Sequence, residues 1–359
     1  MTPFSACISQ STSPHRLTYK TYKSVMQPIR FGARLTLTVV LFLLFLIRAA
    51  AATQDDLVPS GIFNYSVSTT HEEQYKAVAR DSVTHDLTVY ALPDPTYAGQ
   101  VSGTLSREYT ETDLRLQYGI TDTWNLALTL PYVVAIQRST LQVTNPNADP
   151  ILFETVASLQ NKTLSGMGNY RLESIHRPIF RDENAVTFGY GITGSTERNE
   201  GIYTGVSSFE IRDPYGTWLA FLHYTHYPNL ARSRFDMRVE YDLPQIDHVN
   251  LPTGERGASL LGGPTYAAYM EWEHEPGAWG YALRLQGKAT QDSRIDGVSQ
   301  DDPITELLFH AQISFGNLIA LEQAPISFPY QVSLTWDTTL AAYNAPIRDR
   351  WGFQFSGYF

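Results

Sequence analysis

The charges of this chain stand in register with its apolar residues. Across residues 235–243 the odd positions Phe235, Met237, Val239, Tyr241 and Leu243 are apolar, while the even ones, Asp236, Arg238, Glu240 and Asp242, are all charged. The ionisable residues placed in this way, here and in similar segments, are Asp113, Arg115, Arg171, Glu173, Arg177, Asp236, Arg238, Glu240, Asp242, Arg284, Lys288 and His310. Side chains two apart on a strand share a face, so carboxylates and guanidiniums lie side by side on one surface of a sheet. Two kinds of chemistry are open to them. On the wall of a water-filled passage they set which ions and polar solutes pass. Otherwise they pair across strands and only solvate and rigidify that wall.

Other constellations are weaker. His223 and His226 are three apart, and on a strand they point to opposite faces, so they do not make a metal pair. His71, His85, His248, Ser259 and Asp301 could be assembled into a hydrolase site at one rim, which needs a nucleophile, a base and an orienting group meeting in space. Nothing in their spacing favours that. Residues 251–255 (LPTGE) read as a turn, and the acceptor patterns at Asn64 and Asn161 carry little weight. The chain has one cysteine, Cys7, and no pattern that calls for a cofactor or a metal.

The charged positions require strands to hold them. The same alternation recurs in residues 113–120, 279–288, 307–315 and 330–337, and altogether twelve segments of roughly ten residues carry it or can be fitted to it. They are 61–70, 109–119, 123–137, 166–178, 184–195, 214–226, 232–243, 262–273, 278–289, 304–316, 329–338 and 350–359. Short or medium connections around Thr121, Phe180, Asn229, Pro276 and Glu322 interleave with long ones at 70–108, 138–165, 196–213, 244–261, 290–303 and 339–349. Residues 220–224 and 265–269 alternate poorly. The last strand sets the aromatic residues Trp351, Phe353 and Phe355 against Gly352, Gln354 and Ser356, and ends on Phe359. In a bilayer every backbone N–H and C=O must be paired, so β-strands span it only as a closed cylinder, apolar outside and polar within. The expected fold is all-β: one antiparallel transmembrane β-barrel of about twelve strands over residues 53–359. Trp124, Trp272 and Trp279 fall at one set of strand ends and Trp218, Trp336 and Trp351 near the other, as two interfacial belts require.

The N-terminal region reads as an export signal. Residues 35–47 are an apolar run too short for a comfortable spanning helix, preceded by Arg30 and Arg34 and followed by Ala50-Ala51-Ala52. Residues 1–52 are thus expected to be a signal peptide, with Met26 an alternative start and an uncleaved anchor the alternative fate. That region holds six of the 26 basic residues and no acidic one, so the remainder has 20 against 36, a balance of −16. Such a balance disfavours nucleic acid as a partner.

A resemblance joins these readings. The stretch 118–132 (YGITDTWNLALTLPY) resembles the hairpin signature of a group of outer-membrane channels labelled after the meta-pathway of phenol degradation. Gly166-Met-Gly-Asn169 and Gly191-Ile-Thr-Gly194 stand where that family has Gly-x-Gly-Asp and Leu-Pro-Thr-Gly, each with a departure. The resemblance implies a bacterial outer-membrane barrel passing small solutes, aromatic or apolar ones among them, and supplies no catalytic residue. The expected partners are outer-membrane lipid and lipopolysaccharide, small-molecule solutes, and the barrel-assembly machinery through the strand ending at Phe359. The expected function is a non-enzymatic channel. The alternatives are a non-conducting surface barrel serving as adhesin, scaffold or assembly partner, and, third, a rim-located hydrolase.

Overall fold

A computed structural model describes residues 57–358, apart from 80–81, 93–94, 182, 196–208, 210, 212–215, 229–232, 250–256, 276, 301 and 317–328. The expected signal peptide with Met26 and Cys7, the turn at 251–255, Asp301, Phe359, the connections around Asn229, Pro276 and Glu322, and most of the 196–213 connection lie outside the described residues.

Twelve strands form the wall: β1 (Phe63–Val78), β2 (Leu105–Thr121), β3 (Trp124–Ser139), β4 (Asn169–Arg181), β5 (Asn184–Ser195), β6 (Thr217–His226), β7 (Ser233–Pro244), β8 (Thr265–His274), β9 (Trp279–Thr290), β10 (Ile304–Gly316), β11 (Tyr330–Tyr343) and β12 (Ala345–Tyr358). Each pairs antiparallel with its sequence neighbours, and β1 pairs with β12 from Asn64↔Tyr358 to Val78↔Ala345, closing the cylinder. The all-β, twelve-stranded barrel expected from the alternation is the observed fold.

The faces follow the pattern that the hydrophobic register imposes. Along β7, Asp236 is fully buried, while its outward neighbours Met237 and Val239 are 46% and 54% exposed. Along β12, Trp351 and Phe353 point out and Ser356 points in. Large exposed apolar residues beside buried polar ones invert the arrangement of a water-soluble protein, and a lipid surround is the physical reason such a surface is stable.

Strand length departs from the expectation in one sector. About ten residues suffice to cross the bilayer, yet β1 and β3 have 16, β2 has 17, and β11 and β12 have 14 each. The excess lies at the end away from the chain termini, where the outward face becomes polar: His71 sits 3.5 Å from Glu73 and 3.1 Å from Thr110, and Arg138 pairs with Glu108. Such groups belong in water, so this side of the wall stands above the membrane. Two corrections follow. The connection expected at 339–349 is strand on both sides of a tight turn at Asn344, whose φ of 52° is left-handed. Trp336 and Trp351, stacked with centroids 5.8 Å apart, are mid-strand rather than near strand ends, because their strands continue past the belt.

The outer connections have structure of their own. The segment 79–104 carries a short helix, α1 (Leu87–Tyr90), and 140–161 carries α2 (Pro150–Ser158), whose N-cap Asp149 accepts a bond from Ile151 N at 2.9 Å. Leu87, Leu92, Leu141, Leu152 and Val156 pack with Ala77 and Leu105 of the wall into a separate apolar cluster. Gln160 accepts a bond through its backbone O from the lumen-facing Gln137 (3.2 Å), so this second loop folds over the inner side of the extended wall. Residues Ile246–Val249, Ala258–Leu261, Arg294–Ile295 and Val298–Ser299 form a four-stranded sheet between two other outer connections. The strand expected at 166–178 is broken at Gly168. A short strand, Lys162–Met167, and then β4 pair in turn with β3, and Gly168 N donates to Pro131 O at 2.9 Å.

Candidate functional site: the charged lumen

The inward faces enclose a cavity of about 500 Å³, lined by residues of both halves of the wall. Five of the twelve charged candidates form one continuous chain across it. Arg115 on β2 donates to Glu173 on β4 at 2.7 Å. Arg171 holds the other oxygen of Glu173 at 2.8 Å and reaches Glu240 on β7 at 3.3 Å. Arg238 closes on Glu240 at 2.6 Å. The span from β4 to β7 crosses β5 and β6, and glycine makes it passable. A Cβ on inward-facing Gly189 of β5 would collide with the Phe221 ring of β6, and the Arg238 guanidinium stacks on that same ring, 3.6 Å from its centroid. Arg284 on β9 repeats the arrangement. It donates to Glu271 on β8 at 2.6 Å and lies 4.4 Å from the Tyr269 ring centroid.

The other candidates are placed as follows. Asp113 lines the cavity from the β1–β2 side. Asp236 lies nearer the terminal end, where it accepts bonds from Thr225 and His223 (2.8 Å each) and pairs with Arg234 at 2.5 Å. His310 meets Asp337 at 2.6 Å across β10 and β11. Arg177 is buried and donates to Thr187 at 3.3 Å. Asp242 and Lys288 face inward on β7 and β9, outside the cavity lining. His223 is inward and buried while His226 is on the opposite face, as strand geometry requires. Asp236, Glu271 and Glu273 bring carboxylate oxygens within 4.8 Å of one another, with Arg234 already among them, 3.3 Å from Glu273. Of the hydrolase set, His248 and Ser259 are cross-strand partners in the small outer sheet, while His71 is on the outward face of β1.

Several residues that shape the lumen went unsuspected. Phe221 and Tyr269 lie in the two segments that alternate poorly, because inward aromatic and alanine residues interrupt the polar face, and Glu271 follows two residues after the second. Phe209 packs against lumen-facing Tyr109 (5.8 Å between rings) with Arg107 5.5 Å from its centroid, so a connection other than the two folded ones reaches inside. The least expected is the segment ahead of β1. Leu57 packs among Ala127, Ile175, Leu219 and Phe221, and Val58 lines the cavity. Asn125 clamps it: Val58 N donates to Asn125 Oδ1 at 2.5 Å, and Asn125 Nδ2 donates to Val58 O at 2.9 Å. Inward-facing Gly119 makes room, since a Cβ there would collide with Pro59 O.

No family model matches the chain. Nor does any curated protein. Solved structures do. An outer-membrane channel from Pseudomonas putida F1 aligns with a TM-score of 0.61 at 15% identity, covering 86% of this chain and all of that one. At such identity the likeness establishes the fold alone, a closed antiparallel β-barrel. The KdgM porin (TM-score 0.38, 7% identity, 81% and 98% coverage) and the CymD monoaromatic hydrocarbon channel (0.37, 8%, 84% and 89%) align more loosely.

Proposed function

We propose that this protein is an outer-membrane channel for diffusion of small solutes, aromatic or apolar ones included. The observation that carries the reading is the cavity of about 500 Å³, enclosed by a closed wall and lined by charged and amide side chains. The mechanism is selective diffusion. Fixed guanidiniums and carboxylates replace part of a solute's hydration shell and bias the sign of what enters. A twelve-stranded barrel is narrow enough for side chains and inserted segments to constrict it, here by Val58 from below and Phe209 from above. Residues 1–52 would direct export and be removed. The strand ending at Phe359 would be read by the assembly machinery, and lipid with lipopolysaccharide would surround the outward face.

Refolded protein in planar bilayers should give small conductance steps, and Arg238→Glu or Arg284→Glu should move the reversal potential toward cation preference. Absence of conductance in every bilayer tried would reject the channel. The second reading, a non-conducting surface barrel whose folded outer loops bind a partner, is supported by the dense ion pairing of the lumen and by the apolar cluster that organises residues 79–104 and 140–161. It is the reading that silent bilayers would favour.

A further inference from the structure

The charges around the cavity nearly balance in number, but they are not presented alike. The carboxylates of Glu173 and Glu271 are 2% and 6% exposed, whereas the side chains of Arg115, Arg171 and Arg284 are 32%, 29% and 31% exposed; only Arg238 and Glu240 are alike, at 16% and 18%. Glu173 is held by two arginines, Glu240 by two, and Glu271 by Arg284 with Arg234 at 3.9 Å. Glu173 and Glu271 are therefore consumed in orienting the guanidiniums, and the more exposed charge around the cavity is cationic. Arg115 engages its partners through Nη1 alone and Arg284 engages Glu271 through Nε alone, so other N–H groups of each are uncommitted among the described residues. Beside Arg115, the strands β1, β2 and β12 line the cavity with Asn64, Ser66, Gln117 and Gln354, and Asp113 is the one carboxylate they add to that lining among the described residues.

Planarity is the second element. Arg238 and Arg284 each lie on an aromatic ring, Phe221 and Tyr269, at stacking distance. A guanidinium held flat in this way can receive a second planar group while its N–H fork accepts a carboxylate in its own plane. The volume also falls within the range of small-molecule sites, about 300–1,000 Å³.

We infer that the lumen cavity is a binding site for small organic anions with a planar body, of which an aromatic monocarboxylate is the simplest. The inference rests on the channel reading only for its physiological meaning; the binding itself can be measured without current. Purified full-length barrel in detergent is titrated calorimetrically with benzoate, acetate, benzyl alcohol and benzylammonium. Benzoate should bind at least about tenfold more tightly than each of the others: the charge-assisted pair, worth at least that factor, separates it from the alcohol and the ammonium, and burial and stacking of its ring separate it from acetate. Arg115→Gln, which leaves Glu173 still held by Arg171, should weaken benzoate about tenfold. Arg284→Lys, which keeps the charge but loses the flat stack, should bring benzoate toward acetate. Asp113→Asn, which removes the opposing negative charge, should tighten benzoate, a gain that misfolding cannot mimic. Benzyl alcohol or benzylammonium binding as well as benzoate, acetate matching it, or no benzoate heat would each overturn the inference. Benzoate binding by a protein that never conducts would uphold the site and reject the channel. Conductance with no benzoate preference would do the reverse.

Discussion

Shortening Leu57 should unlatch the lower end of the lumen. Leu57 is 6% exposed and Val58 2% exposed. Burying a side chain of this size contributes about 1.5–3 kcal/mol. The two bonds to Asn125 add about 0.5–1.5 kcal/mol each. Against this, fixing the three residues 57–59 costs about 1–2 kcal/mol apiece. With both side chains buried and each contribution at mid-range, the sum leaves the segment docked by about 2 kcal/mol, so it should be undocked about 3% of the time. Leu57→Ala removes about 2 kcal/mol of that and should bring docked and undocked states to comparable occupancy. In single-channel records the unmodified protein should show infrequent excursions to a wider conductance level, and Leu57→Ala should spend a large share of its time there. Asn125→Ala should act in the same direction. A chain begun at Pro59 should occupy the wide level throughout. Identical dwell distributions for all four proteins would refute the latch, and with it the claim that this segment constricts the passage.

Further outcomes follow from the same geometry. Glu173→Gln leaves Arg115 and Arg171 without their shared counter-ion; because both guanidiniums are about one-third exposed, the loss should be about 1–3 kcal/mol rather than the larger cost of a fully buried pair. It should appear as a lower urea midpoint in detergent, together with increased anion selectivity. Asp236 is fully buried between His223, Thr225 and Arg234, so Asp236→Ala should be the more damaging change, by about 3–5 kcal/mol, and should show in the heat-induced mobility shift of the folded barrel. Asn344→Ala keeps the Cβ but removes the short polar side chain that lets asparagine tolerate the left-handed turn, and should cost about 1–2 kcal/mol, whereas Asn344→Gly should keep the turn. Both lose the Asn344 side-chain bond to Pro303 O (3.1 Å), so faster proteolysis of residues 291–303 is expected in each.

How far the amino-acid sequence reached depends on which contacts a feature needs. The barrel, its strand number and its inward and outward faces were legible because strand alternation is a local property. Once lipid lies outside, each residue's side follows from its parity, as Asp236 and Met237 illustrate. The inward placement of charges such as Arg115, Glu173 and Arg238 followed from the same rule. Which of them meet did not. The link from Arg171 to Glu240 joins residues 69 apart across two intervening strands, and it depends on barrel curvature, on stagger and on Gly189 leaving room for a ring. None of these has a period-2 signature. The extended sector was hidden for a related reason: beyond the membrane the contrast between the two faces fades, with polar residues on both faces at 71–74 and small or apolar ones at 340–345, so 70–78 and 339–349 read as loop. Leu57 and Phe209 carry no pattern at all, since a segment lying inside a barrel is positioned by the walls that receive it. Parity therefore determined the cylinder and the chemical character of its two surfaces. Only closure, by bringing distant strands within a few ångströms, decided which charges pair, which guanidiniums stay exposed inside the barrel, and where the lumen narrows.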